Sequence, residues 1–287
     1  MGGFRTIDEL EDALRAADYL PDRGLSTALF LGLALEKPLL LEGEAGVGKT
    51  EAAKALAAAT SAKLIRLQCY EGLDVAHAVY EWNYPRQLLH IRAAQEGTVS
   101  EEELFGPEFL IRRPLLEAID SDDPVVLLID EIDRADEEFE AFLLEVLSDF
   151  QVSVPELGTL RAAQRPFVLL TSNNAREMTD ALKRRCLHLF IGYPDAAREL
   201  EIVRTRIPEA QSTLAEAVVR VVQRVRDLDL KKRPSVSETL DWARALTILN
   251  AQTLDQKLVE ETLNLILKYE GDIERAREKL PELTATK

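Results

Sequence analysis

Two rhythms of apolar residues divide this chain. Up to Ile191 the apolar positions collect in short runs: Pro38 to Leu41, Lys63 to Cys69, Pro124 to Glu131, Pro166 to Asn174, and Leu187 to Ile191. Runs rich in leucine and β-branched residues, such as Val125-Val126-Leu127-Leu128-Ile129, predict strands covered on both faces, as in a parallel α/β sheet. Glu51 to Ala59 reads as a helix, and Thr6 to Asp18 as another, capped by Thr6 or Asp8. From Ala196 to Leu280 no strand-like run occurs. There Leu214, Val218, Val222, Val225 and Leu228 recur at the spacing of an amphipathic helix. Helices are expected near 197–205, 213–228, 236–248 and 255–267, with a further one near 270–279. The rhythm changes at Tyr193-Pro194-Asp195. An α/β domain over 1–194, whose N-terminal helix props the core, and an all-α domain over 195–287 are therefore expected.

At 287 residues and 46% apolar content, the chain is long enough for two domains with sizeable cores. Its 35 basic residues face 51 acidic ones, a formal charge of −16. A general nucleic-acid binder needs a basic surface to displace counterions, and the short cluster Lys231-Lys232-Arg233 suits a solvated turn instead. The balance points to a protein client and disfavours nucleic acid and acidic membrane surfaces. Leu25 to Leu35, the most apolar early stretch, is too short to span a bilayer, and no leader-like segment precedes the first helix. A soluble, cytoplasmic protein without membrane insertion is expected. Cys69 and Cys186 are too few for a disulfide framework, and they and His77, His90 and His188 lack metal-ligand spacing.

Residues 43–50 change the picture. They read Gly43, Glu44, Ala45, Gly46, Val47, Gly48, Lys49 and Thr50, between a strand and a helix. Gly43, Gly46 and Gly48 permit turns that a side chain would obstruct, so the loop amides can face an anion at the positive end of the following helix. Lys49 is placed to reach β- and γ-phosphates, and the Thr50 hydroxyl to ligate Mg²⁺. The competing reading is a plain glycine-rich turn. With every required position filled, the implied ligand is a nucleoside triphosphate.

The run ending in Asp130-Glu131 puts two carboxylates at a strand tip, where open α/β sheets place ligands. Asp130 can hold the water shell of Mg²⁺, while Glu131, pointing the other way, can polarise an attacking water. The alternative is a solvated acidic cap continued by Asp133 and Asp136. At the end of the next run, Asn173, or its neighbour Asn174, can bond a γ-phosphate or orient the water; equally, the pair can form a loop turn. Lys183, Arg184 and Arg185 either solvate a helix C-terminus or supply a trans-acting arginine to a neighbouring subunit. Cys186 beside them is either an inert buried thiol or an oxidisable group at an interface.

In this order and spacing, phosphate loop, acidic strand tip, strand-terminal Asn and post-strand Arg resemble the AAA+ ATPases, and within them the MoxR branch. The resemblance covers roughly Leu25 onward. It implies a P-loop core with a five-stranded parallel sheet, followed by a helical lid. It also assigns Asn173 as the phosphate-sensing residue called sensor 1. Ala181-Leu-Lys-Arg-Arg-Cys186 is matched to the segment that supplies the finger, at Arg185 with Arg184 close behind. Tyr70 to Tyr84 resembles the helix-2 insert of MoxR proteins, and Phe150 to Arg161 resembles the hairpin before sensor 1. Either can face the pore of a ring, while Tyr80, Trp82 and Tyr84 can instead pack on the protein's own surface.

Trp82-Asn-Tyr-Pro-Arg86, Phe109 to Glu117 and Ser235 to Arg244 are similar to a smaller, CoxD-like set. That set is linked to maturation of molybdenum-containing carbon monoxide dehydrogenase and related hydroxylases. The resemblance thus implies ATP and Mg as cofactors, a homo-hexamer, a von Willebrand factor A domain partner and a metalloenzyme client. One departure stands out. Where MoxR proteins commonly carry a sensor 2 arginine, this chain has Ser235-Val236-Ser237, with Arg233 and Arg244 nearby. That places more of the coupling on Arg185. The competing functions are a DNA-directed motor and a slow nucleotide switch that scaffolds a partner.

Overall fold

The computed structural model describes residues 3–93 and 100–285. Contacts divide it into two compact units: Met1–Glu42 with Thr50–Phe190, and Gly43–Lys49 with Ile191–Lys287.

The first unit opens with α1 (Ile7–Ala16), capped by Thr6, whose hydroxyl accepts the Glu9 amide at 3.1 Å. Thr6 and not Asp8 is the cap, because its oxygen sits just before the first turn and meets an amide that lacks a helical partner. The stretch Leu25–Leu35 forms the body of α2 (Arg23–Leu35), which buries Leu25 and Leu29 and leaves Leu31 and Leu35 exposed. Next come β1 (Leu39–Gly43), α3 (Lys49–Ala59) and β2 (Lys63–Gln68).

The insert that follows is larger than its sequence signature. It runs through α4 (Val75–Ala78), β3 (Tyr80–Trp82), α5 (Tyr84–Ala93), α6 (Glu101–Leu104) and β4 (Leu110–Arg112) to α7 (Pro114–Ile119). Strands β3 and β4 pair antiparallel, with Trp82 opposite Leu110. The segments around Trp82 and Phe109, separate marks in the sequence, are thus one structural piece. Trp82 is buried edge-on against Phe105, whereas Tyr84 is 59% exposed. Packing on the protein's own surface is therefore the fate of Trp82 but not of Tyr84.

The unit is completed by β5 (Val125–Asp130), α8 (Glu137–Asp149), the hairpin β6 (Gln151–Val154) and β7 (Gly158–Arg161), β8 (Phe167–Ser172), α9 (Asp180–Arg185) and β9 (Leu187–Ile191). Five strands form a parallel sheet in the order β2-β5-β8-β1-β9. The three inner strands β5, β8 and β1 are buried at every residue, while β2 and β9 at the edges mix buried and exposed positions. Only the inner strands therefore read as unbroken apolar runs. Register aligns Gln68 with Asp130 and Ile129 with Leu170, so the carboxyl ends of neighbouring strands finish side by side.

The second unit, apart from its loop segment, is helical: α10 (Ala196–Arg206), α11 (Ser212–Arg226), α12 (Val236–Ile248), α13 (Gln256–Ile266), α14 (Glu270–Glu278) and α15 (Leu280–Thr284). Helix α11 stops before Leu228, which nevertheless packs against the core, and α15 is an element that the sequence rhythm did not announce. Trp242 is fully buried there, its indole N–H donating to the Thr262 hydroxyl at 2.8 Å. Arg226 forks onto buried Glu199 through two N–H groups at 2.6 and 2.7 Å, and Thr239 and Gln223 also donate to that carboxylate. With these donors the buried charge is compensated. Among the described residues no helix is long and apolar enough to cross a membrane.

Candidate nucleotide site at the strand tips

Asp130 ends β5 with its side chain 4% exposed. A buried carboxylate needs donors on both oxygens, and here they come from three neighbouring elements. The Thr50 hydroxyl, at the start of α3, donates to Oδ1 at 3.1 Å, and the Thr171 hydroxyl of β8 donates to the same oxygen. Arg66 of β2 donates to Oδ2 from Nε at 3.0 Å and Nη2 at 2.6 Å. Thr50 and Asp130, placed together as the sequence motifs require, form an all-oxygen donor pair that suits a hard cation such as Mg²⁺. Among the described residues no cluster of three or more His, Cys, Asp or Glu is arranged to hold a metal. A cation here would depend on phosphate and water oxygens for the rest of its shell.

Glu131 leaves the strand in the left-handed conformation, φ 55° and ψ 50°. Its amide donates to the Thr171 hydroxyl at 2.9 Å. Its carboxylate accepts from Asn173 Nδ2 and from Gln68 Nε2, each at 3.2 Å. Asn174 also adopts positive φ, 58°. Asn174 thus makes the turn, and Asn173 bonds the Glu131 carboxylate. Asp133 is not a solvated cap. It is buried, and its Oδ2 accepts the amides of Asn173 at 3.2 Å and Ala175 at 2.8 Å, which holds that turn in place. Asp136 instead caps α8 by accepting the Phe139 amide.

The loop from Gly43 through Glu44, Ala45, Gly46, Val47 and Gly48 to Lys49 belongs to the second unit by its contacts. Lys49 is 5% exposed, and its ammonium donates to the carbonyls of Gly43 and Glu44 at 2.7 Å each. Gly43 has φ 153°, and a Cβ there would lie 2.1 Å from the Ile191 carbonyl oxygen. Gly46 has φ 76°, and a Cβ there would meet the Ser235 hydroxyl at 2.4 Å. Both positions therefore need glycine for space and for backbone. The Ser237 amide donates to the Gly46 carbonyl at 3.3 Å. Ser237, where the resemblance to MoxR proteins leads one to expect arginine, thus touches residue 46 of this loop, whereas Arg244 lies 4.0 Å from Asp241 on its own helix.

Arg184 and Arg185 end α9, and both are exposed. Arg185 donates to the Leu144 carbonyl and the Ser148 hydroxyl of α8. Neither arginine is bonded to Asp130 or Glu131 within the chain. Burial, with the charges of Asp130, Asp133 and Glu131, pushes the Cys69 thiol up to about 12; burial alone pushes Cys186 up to about 12. Neither is a thiolate at neutral pH, which makes both poor nucleophiles.

Three participants were not singled out in the sequence: Arg66, Gln68 and Thr171. Alternation along β2 puts Arg66 and Gln68 on one face. Only the pairing of β2 with β5 brings that face to Asp130.

Residues 38–186 match the AAA domain of the dynein-related subfamily. The chain belongs to that family. The AAA match spans the phosphate loop, the acidic strand tip, Asn173 and Arg185. Over 206 residues the chain is 27% identical to Chaperone MoxR1 of Mycobacterium tuberculosis, covering 69% of this chain and 46% of that protein. It thus spans less than half the length of that relative. An ATPase candidate structure from Cytophaga hutchinsonii is similar with a TM-score of 0.51 and 16% identity, covering 94% of this chain and 84% of that one. A RuvB variant of Thermotoga maritima gives a TM-score of 0.50 at 18% identity, covering 85% and 67%. At these identities the two structures establish the shared AAA fold alone.

Proposed function

We propose that this chain is a MoxR-like ATPase that hydrolyses Mg²⁺-bound ATP and, as a ring of six protomers, remodels a protein client. The observation that carries the reading is the Glu131–Asn173 bond at 3.2 Å beside the Thr50–Asp130 bond at 3.1 Å. A hydroxyl–carboxylate pair for a metal next to a second, amide-held carboxylate is the arrangement that phosphoryl transfer to water needs. In this reading Lys49 and the amides of 43–49 bind the triphosphate, and Thr50 and Asp130 hold the cation. Bound Mg²⁺ would supply charge neutralisation of the phosphate oxygens. Glu131 orients the attacking water and accepts its proton, and Asn173 aims Glu131 and contacts the γ-phosphate. Arg185, with Arg184 beside it, completes the site of a neighbouring protomer.

A protein client is favoured over DNA by the formal charge of −16 and by the likeness to a chaperone. The CoxD-like signature extends the proposal to a cytoplasmic role in metalloenzyme maturation, with a molybdenum hydroxylase or carbon monoxide dehydrogenase as client and a von Willebrand factor A domain protein as partner. The test is Glu131→Gln. Binding of a fluorescent ATP analogue should persist while Mg²⁺-dependent turnover falls about 10²–10⁴-fold, the usual contribution of a general base. Undiminished hydrolysis would remove Glu131 from its role.

A further inference from the structure

We propose that Arg66 is a positioning residue that makes metal binding at Asp130 conditional on nucleotide; this rests on the Mg²⁺–ATP reading of the same site. Asp130 is 4% exposed, and its two oxygens are served by different chemistry. Oδ2 faces a guanidinium through two N–H groups, at 3.0 and 2.6 Å. Oδ1 faces only hydroxyls, those of Thr50 and Thr171, and the Thr50 hydroxyl also reaches Oδ2 at 3.3 Å. A hydroxyl can rotate and present a lone pair to a cation; a guanidinium has no acceptor and does not lose its proton. The arginine therefore reserves one oxygen and leaves the other, beside Thr50, as the approach for a metal.

Charge supplies the condition. Arg66 is the one cation paired with Asp130 among the described residues, and it neutralises that carboxylate before any metal arrives. A bare dication entering beside Oδ1 meets a carboxylate already paired, with the guanidinium repelling it from the far side of that buried group. A dication entering with a triphosphate brings its own negative charge, and the repulsion is offset. Arg66 itself is 49% exposed, on the edge strand β2. Its Nη2 also donates to Gln68 Oε1, and Gln68 Nε2 donates to Glu131 at 3.2 Å. The same side chain thereby ties the metal-side carboxylate to the water-side carboxylate.

The probe is Mn²⁺ followed by electron paramagnetic resonance on the full chain, with and without a non-hydrolysable ATP analogue. Without nucleotide, Arg66→Gln should bind Mn²⁺ about tenfold more tightly than the wild type. Arg66→Lys, which keeps the charge, should stay close to wild type, and Asp130→Asn added to Arg66→Gln should abolish the gain. Unchanged or weaker nucleotide-free Mn²⁺ binding in a folded Arg66→Gln overturns the proposal, as does a Lys variant that behaves like Gln. If the wild type fails to bind the analogue with Mn²⁺ at all, the nucleotide reading falls and takes this inference with it. Retained analogue binding with an unchanged Arg66→Gln removes the inference alone.

Discussion

Asn173 Nδ2 lies 3.2 Å from Glu131 Oε1, joining the residues that immediately follow two adjacent strands. The bond holds one oxygen of a carboxylate whose other oxygen accepts from Gln68 Nε2 at 3.2 Å. Asn173→Ala should leave affinity for an ATP analogue within about threefold and lower turnover about tenfold or more, because the loss falls on geometry in the transition state. Steady-state kinetics read the split. A rise in KM with kcat intact would place Asn173 in ground-state binding instead.

Arg185 donates to the Leu144 carbonyl and the Ser148 hydroxyl of α8 in the isolated chain. As a trans-acting finger it has to exchange these bonds for a phosphate on a neighbour. Arg185→Ala should therefore keep nucleotide binding by the monomer while abolishing the rise of specific ATPase activity with protein concentration. Turnover measured across dilution, alongside mass photometry, reads this directly. Rates indifferent to concentration in both proteins would deny Arg185 a role in trans.

Gly43 sits at φ 153° with the Ile191 carbonyl oxygen 2.1 Å from where a Cβ would stand. No rotamer relieves a clash between Cβ and backbone. Gly43→Ala should lower stability by about 1–3 kcal/mol, the scale of a strained backbone position, and weaken binding of the ATP analogue as the loop shifts. Thermal unfolding with and without the analogue measures both. An unshifted melting temperature would mean that Gly43 and Ile191 are not held together in solution.

The sequence by itself determined the class of the fold and the identity of the nucleotide motifs. The inner strands are legible because both faces are buried, which forces unbroken apolar runs. The residues 43–50 are legible because phosphate binding needs backbone freedom, a cation and a hydroxyl within one short segment. Local chemistry of that kind needs no knowledge of distant contacts. Edge strand β2 was legible as a strand, but its Arg66 and Gln68 were not legible as parts of a site. Their roles depend on a pairing with a strand some 60 residues away in sequence, as the Arg66–Asp130 separation of 64 positions shows. The joining of Trp82 to Leu110, the positive φ of Asn174 and the bond from Asn173 to Glu131 were decided in the same way. So was the contact of Ser237 with Gly46, 191 positions apart. Which polar groups share a buried pocket is decided by register and packing across the chain, and those are properties of the tertiary structure alone.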